Sequence, residues 1–358
     1  MKKISLILIL LIFVCTTASF ACWSRHAKTK GTTEMDTSAR TELDFEILPT
    51  MTTESNAKNT VWVGTFQLIW NDLIDEIIKH PVKFSSSSVM ADNLNKREFT
   101  ADSLLESSFY KKLGLVSKDL KTEIEKSIKD KFGEKSDILD RFDWTPAPEK
   151  YILYAMLKKD FQYLQSFDKL EDAEFKGSTG KVKYFGIDED SKRSLRRTVD
   201  VLFYNGSNDY AVSLHSKEGD TVFLYRTDDK KTFDKLYKDM TQKADKYEGK
   251  KYLANIDKFK APNIEFKKER EFKELCNKPI KNSNYMISKA LETVQFKMDE
   301  TGVKLKSEAV MIVAMACAPG FREEPRFFYF NDRYIIFLQE KDKPYFAMKI
   351  EDAKALQK

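Results

Sequence analysis

The chain has 358 residues, of which 42% are apolar and 13% aromatic, with 26 phenylalanines. That is enough apolar material for a sizeable core in one large domain or two ordinary ones, and it excludes a mostly disordered chain. The 61 Lys+Arg and 56 Asp+Glu are interleaved and leave a formal net charge of +5, the pattern of a solvated surface and not of a nucleic-acid patch.

At the N-terminus, Met1-Lys2-Lys3 precedes an apolar run over 4–14, broken only by Ser5; small and polar residues lead on to Ser19-Phe20-Ala21. Basic start, short apolar middle and small-residue end are the parts of a secretory signal. The run is too short for a membrane-spanning helix, which needs roughly 20 apolar residues. Residues 1–21 are therefore expected to be a signal peptide and the protein to be exported. Cys22 follows directly, where a bacterial lipoprotein takes its lipid, although Ser19 stands where such signals usually carry an aliphatic residue. Two outcomes stay open: a lipid-anchored envelope protein and a plainly secreted one. Residues 22–58, rich in Thr, Ser, Lys and Glu, read as a flexible tether. It is interrupted by Leu43, Phe45, Ile47 and Leu48, a stretch compatible with a docked strand. A single folded domain is expected over 59–358.

In that domain Phe66, Ile69, Trp70, Leu73, Ile74, Ile77 and Ile78 fall at helical spacing, and His80-Pro81 ends the helix. Helices are also predicted over 103–112 and 117–132. The second has Ser117 at its start, Leu120, Ile124 and Ile128 on one face, and Gly133 at its end. Pro146 and Pro148 mark a linker. Residues 151–164 fit a helix or a buried strand. From Gly180 onward strands dominate: 198–204, closed by the turn pair Asn205-Gly206, then 210–214 and 221–225. A helix carries Phe233, Leu236, Tyr237 and Met240. Further strands are predicted over 294–298, 303–314, 327–330, 334–338 and 345–350. Helices first and strands later give an α+β fold, with helices packed on large mixed or antiparallel sheets.

The inventory for enzyme chemistry is thin. His26 lies in the tether, His80 beside a proline and His215 in a hairpin; the chain has 3 histidines in all. The nucleophile-elbow, zinc-protease, phosphate-loop and dinucleotide motifs are missing from the sequence. Asp75-Glu76 and Glu323-Glu324 read as solvated faces, and Asp188-Glu189-Asp190 lacks calcium-loop spacing. No Cys-x-x-Cys spacing points to zinc. No enzymatic activity, cofactor or metal is expected. Once Cys15 has left with the signal and if Cys22 is lipidated, one pair remains, Cys276 with Cys317, and the sequence does not decide whether it forms.

Between Ile287 and Ile350 the chain reads Asp299-Glu300-Thr301-Gly302 at the end of a strand. Asp332-Arg333-Tyr334-Ile335-Ile336-Phe337-Leu338 follows after a long stretch, and Phe346-Ala347-Met348-Lys349-Ile350 comes last; Asp257-Lys258-Phe259-Lys260 lies upstream. In order and spacing this resembles the C-terminal part of the serpin family. The N-terminal half carries no matching signature; the Asn-x-x-x-Ser-Pro stretch of the family's second helix is not evident. The resemblance implies a serpin-like α+β fold and an exposed reactive-centre loop over about 303–322. In that family a serine or cysteine protease cleaves the loop and stays acylated to it while the loop inserts into the central sheet.

Glu300 and Gly302 open the implied hinge. Strand alternation would turn Val303, Leu305, Ser307 and Ala309 inward and Lys304, Lys306 and Glu308 to water. Leu305 and the lysines are bulkier than the alanine-rich hinge of inhibitory members. Tyr334 replaces the usual proline and Met348 the usual glycine. A mobile bait and a strand already fixed in the sheet are therefore both compatible with the hinge. The family's spacing puts the scissile bond at Ala316–Cys317, with Met315 as a neighbouring candidate. A small residue there suits elastase-like or broad cysteine proteases, and the Cys317 thiol is open to oxidation. The implied partners are a target protease and, through a lipid anchor alone, a membrane; nucleic acid is not expected, and the protein is expected to be a monomer. The alternative is a non-inhibitory serpin-like surface lipoprotein with a binding or structural role.

Overall fold

The computed structural model describes residues 45–147, 149–304 and 324–357. A seven-stranded sheet is built from β1 (Phe45–Leu48), β2 (Asn59–Val63), β8 (Val199–Tyr204), β9 (Tyr210–His215), β10 (Thr221–Arg226), β16 (Tyr334–Gln339) and β17 (Pro344–Ile350). Their order is β1-β2-β17-β16-β10-β9-β8. The predicted strands 198–204, 210–214, 221–225, 334–338 and 345–350 all lie here. Their apolar runs are near-continuous because most of their residues are buried. The stretch compatible with a docked strand is β1, parallel to β2 from Phe45↔Asn59 to Leu48↔Trp62, with Ile47 and Leu48 buried. The packed body thus takes in part of the stretch expected to be tether.

The first predicted helix is α1 (Thr65–Asp72). It runs on as a π-helical stretch, Leu73–Ile78, and stops at Lys79, whose φ of 64° is left-handed. A short α2 (Val89–Leu94) is capped by Ser88. The helix expected over 103–112 is not there. Two 3-10 turns, Ala101–Ser103 and Glu106–Ser108, lead into β3 (Phe109–Leu115), antiparallel to β4 (Tyr151–Leu157). Pairing with the apolar β4 overrides a weak helical spacing, and it settles 151–164 as strand. The helix over 117–132 is α3 (Lys118–Phe132): Ser117 Oγ accepts from the Leu120 N–H at 3.1 Å, and Gly133 closes it at φ 68°. Leu120, Ile124 and Ile128 pack with Trp144, Ile152 and Tyr154 in a small core of their own on β4.

Two four-stranded sheets complete the body. One runs β12-β13-β14-β5, from β5 (Phe161–Gln162), β12 (Ile264–Glu271), β13 (Leu291–Met298) and β14 (Gly302–Lys304). The other runs β15-β11-β7-β6, from β6 (Asp168–Glu174), β7 (Lys181–Ile187), β11 (Lys258–Pro262) and β15 (Phe327–Tyr329). Helix α4 (Phe233–Lys246) rests on the seven-stranded sheet, with the Tyr237 and Phe337 rings 5.2 Å apart. Among the described residues no helix is long and apolar enough to cross a membrane.

Candidate functional site: a strand-shaped slot

The expected hinge residues converge where β14 begins. Val303 pairs with Met298 of β13 on one side and with Phe161 of β5 on the other, both antiparallel. Its side chain is fully buried, as alternation requires, while Lys304 faces out. Gly302 meets the neighbouring strand so closely that a Cβ there would sit 2.2 Å from the Phe161 carbonyl oxygen. Any side chain would push the hinge out of the sheet, which is why glycine stands at this place. The Glu300 carbonyl accepts the Phe167 N–H at 2.8 Å and the Thr301 carbonyl accepts the Tyr163 N–H at 3.1 Å. The Glu300 carboxylate lies 3.2 Å from Lys169. Leu305, Ser307, Ala309, Met315, Ala316 and Cys317 lie outside the described residues, as do the signal segment and Cys22.

Below β14 the sheet is split. β13 is paired along its length with β12 on one edge, but its other edge meets only the short β14, over Lys297 and Met298. β4 is paired only with β3. Among the described residues, the facing edges of β4 and β13 thus carry no strand between them. A cleft of about 1000 Å³ occupies the gap, lined by both strands, by Phe66, Ile69 and Trp70 of α1, and by Lys304 at its upper end. Among the described residues, β14 is thus the one strand that enters the space between β4 and β13, at its upper end. Unpaired backbone N–H and C=O groups on such edges accept a strand readily.

One buried acid faces this slot. Glu292 of β13 shares the inward face with Val294, Phe296 and Met298 and is 5% exposed. Thr65 Oγ donates to its Oε1 at 2.6 Å, and its Oε2 has no hydrogen-bond partner among the described residues. Burial pushes its carboxyl up to about 8, against the pull of the Thr65 hydroxyl, the Phe66 N–H and Arg270. An acid raised in the folded state holds more protons there than when unfolded. Stability is therefore expected to fall as pH rises between the ordinary carboxylate range and about 8. The total loss over that window is about 5 kcal/mol at 1.36 kcal/mol per pH unit. In melting curves taken from pH 5 to 9, Glu292→Gln should flatten the decline; an unchanged slope would show that Glu292 does not carry it.

On the other side of the implied loop, Arg326 is pinned separately. The Arg326 guanidinium lies 2.7 Å from Asp257 and donates to the carbonyls of Lys250 and Tyr252 at 2.9 and 2.8 Å, while its own N–H bonds Asp257 at 2.9 Å. The loop thus leaves one sheet at β14 and rejoins another at β15, which runs parallel to β11. Asp257 is buried and its Oδ2 also receives the Ala254 N–H. Its role as the anchor of the loop exit was not foreseen. Under the hinge, Lys159 sits 2.9 Å from Asp220 and touches Glu340, and Tyr345 donates to Asp220 at 2.8 Å. This triad ties the chain just before β5 to the seven-stranded sheet. Of the two cysteines whose pairing the sequence left open, Cys276 is buried, forms no disulfide among the described residues and donates to the Phe272 carbonyl; Cys317 lies outside the described residues.

No protein-family model matches the chain, and no curated protein matches it by sequence. Solved structures resemble it, among them the following. Maspin shares 11% identity over 82% of this chain and 92% of its own, with a TM-score of 0.53. Serpin48, a highly specific serpin of the insect Tenebrio molitor, shares 12% over the same fractions with a TM-score of 0.47. A thyroxine-binding globulin complex with thyroxine shares 12% over 64% of this chain and 63% of its own, with a TM-score of 0.40. At such identities the likeness is one of fold, and the maspin overlay carries it. Its coverage takes in the N-terminal half, where the sequence showed no signature. The chain has a serpin-like α+β fold, with its Asp299–Gly302 hinge at the top of a split sheet.

Proposed function

We propose that this is an exported protease inhibitor whose segment after Lys304 serves as bait and, once cut, completes the split sheet as a strand. The observation that carries the reading is the cleft between β4 and β13, which among the described residues holds no strand below β14, with β14 paired on both sides at its mouth. If the inserted strand kept the Met298↔Val303 register, Leu305 would lie opposite Phe296, Ser307 opposite Val294 and Ala309 opposite Glu292. The inward sequence then runs from large to small as it nears the buried acid. The bond cut would be at Met315, Ala316 or Cys317, and the target a serine or cysteine protease. The leader over 1–21 supports export, and Cys22 supports a lipid anchor at the cell envelope.

The test is incubation of the mature chain with elastase-type and papain-type proteases, read on denaturing gels. The expected result is a covalent band heavier than either partner. Ala309→Pro should abolish the band while cleavage continues, because proline cannot donate to the sheet ladder. Cleavage near Ala316 without a complex would overturn inhibition. It would favour a non-inhibitory surface binding protein, a reading that draws on β14 being already paired and on the bulk of Lys304 and Leu305.

A further inference from the structure

A second pocket, independent of the slot, is built from cations. It measures about 330 Å³ and lies between the β1–β2 connection, the start of α4 and β17. Lys230 and Lys235 line it from the α4 side, Arg333 from β16 and Lys349 from β17; Lys231 is there too but is held by Asp229 at 2.5 Å. Against these stand Glu351 and Glu54. Glu351 is already shared, bonding Arg333 at 2.5 Å and lying 3.9 Å from Lys349. No ion pair within 4.0 Å is found for Lys230 or Lys235 among the described residues, and both are exposed at the rim. Arg333 is 8% exposed, so its guanidinium is held in place by the fold. It also donates to the Thr227 carbonyl at 2.5 Å. Lys349 is nearly as enclosed and donates to the Ala57 carbonyl at 2.6 Å.

Two further features bear on this pocket. Burial lowers the Lys349 ammonium; Glu351 and Glu46 pull it back up, while Arg333 and Lys230 lower it by like-charge repulsion. Glu351 is thus shared between two cations, Arg333 and Lys349, and a bound anion would relieve their mutual repulsion further. The pocket also holds the first residues of the 14-residue helix α4. Thr232 donates its hydroxyl to Asp234 and makes no side-chain cap, and of the first-turn N–H groups that of Asp234 is taken by the Met51 carbonyl at 3.3 Å.

The geometry points to a binding site here for a small ligand bearing a phosphate or similar doubly charged oxyanion. Arg333 and Lys349 form its fixed floor, and Lys230 and Lys235 close over it from the rim. Arginine and lysine to a phosphate make charge-assisted hydrogen bonds, the strong class. A free phosphate ester and a phospholipid headgroup present this same chemistry, and the experiment separates them.

Titration calorimetry of the non-acylated chain (Cys22→Ser) at low ionic strength would use inorganic phosphate and glycerol 3-phosphate. Flotation would use vesicles of phosphatidylglycerol or of phosphatidylcholine. Saturable binding in the first arm assigns a free ligand; selective flotation with phosphatidylglycerol assigns a headgroup. In either arm the rim variant Lys230→Ala/Lys235→Ala, chosen because both residues are exposed, should weaken binding by at least about tenfold. Lys349→Met should do the same, and circular dichroism checks that it folds. No saturable binding in either arm, or equal binding by the rim variant, overturns the site.

Discussion

Cleavage between Met315 and Cys317 is expected to raise the melting temperature by on the order of 10 °C. Among the described residues, two backbone edges beside the cleft are left unpaired, on β4 and on β13. A strand entering there satisfies both. Each ladder hydrogen bond contributes a net ~0.5–1.5 kcal/mol, and burial of inward side chains such as Leu305 adds to it. In a chain of this size each kcal/mol is worth roughly 2–4 °C. The entering strand needs a free end, which the uncut loop lacks because Arg326 pins its exit to Asp257. Cutting supplies that end. Differential scanning calorimetry of intact and nicked protein decides the matter. An unchanged midpoint after complete cleavage would mean that the segment beyond Lys304 stays out, and the inhibitory reading would fall with it.

Lys159→Met is expected to cost about 3–5 kcal/mol, the range for breaking a buried ion pair from one side. The side chains of Lys159, Asp220 and Glu340 are only 6%, 4% and 6% exposed. Removing the cation strands two carboxylates out of water. Burial already raises the Asp220 carboxyl, with Lys159 as the main counterweight. The deficit should therefore shrink as pH falls and the stranded acids take up protons. Chemical denaturation of the variant at pH 7 and pH 5 measures both effects. Adding Asp220→Asn and Glu340→Gln should recover much of the loss; a triple variant as unstable as the single one would show that the contact of the Lys159 ammonium with the Tyr345 ring, 5.1 Å from its centroid, is what matters.

The strands with strong apolar runs were legible in the sequence, and so was α3, whose cap, stripe and terminal glycine all agree. β6 and β12 were not. β6 is Asp-Lys-Leu-Glu-Asp-Ala-Glu and β12 carries Lys267, Lys268, Glu269 and Arg270. Both are edge strands, where charge blunts unwanted pairing and masks the strand signal. The strand end at Asp299–Gly302 was legible because these residues are contiguous and the glycine fits a close approach. Glu292 could have been found: it occupies the apolar phase of Leu-Glu-Thr-Val-Gln-Phe-Lys-Met, where alternation turns it inward. The Lys159 triad and the cation pocket could not, since each joins residues from distant parts of the chain that carry no local pattern.

The position of β17 bears on how the chain reaches its folded state. It sits inside the seven-stranded sheet, between β2 and β16, and pairs Lys349 with Thr60. The sheet that holds the largest share of the core therefore cannot close until the last strand has emerged from the ribosome. Contacts this remote in sequence slow folding, because the loop between them must close first. Before that point β2 has β1 on one edge, and its other edge waits for β17. The central sheet is thus finished late, by joining the two ends of the described chain.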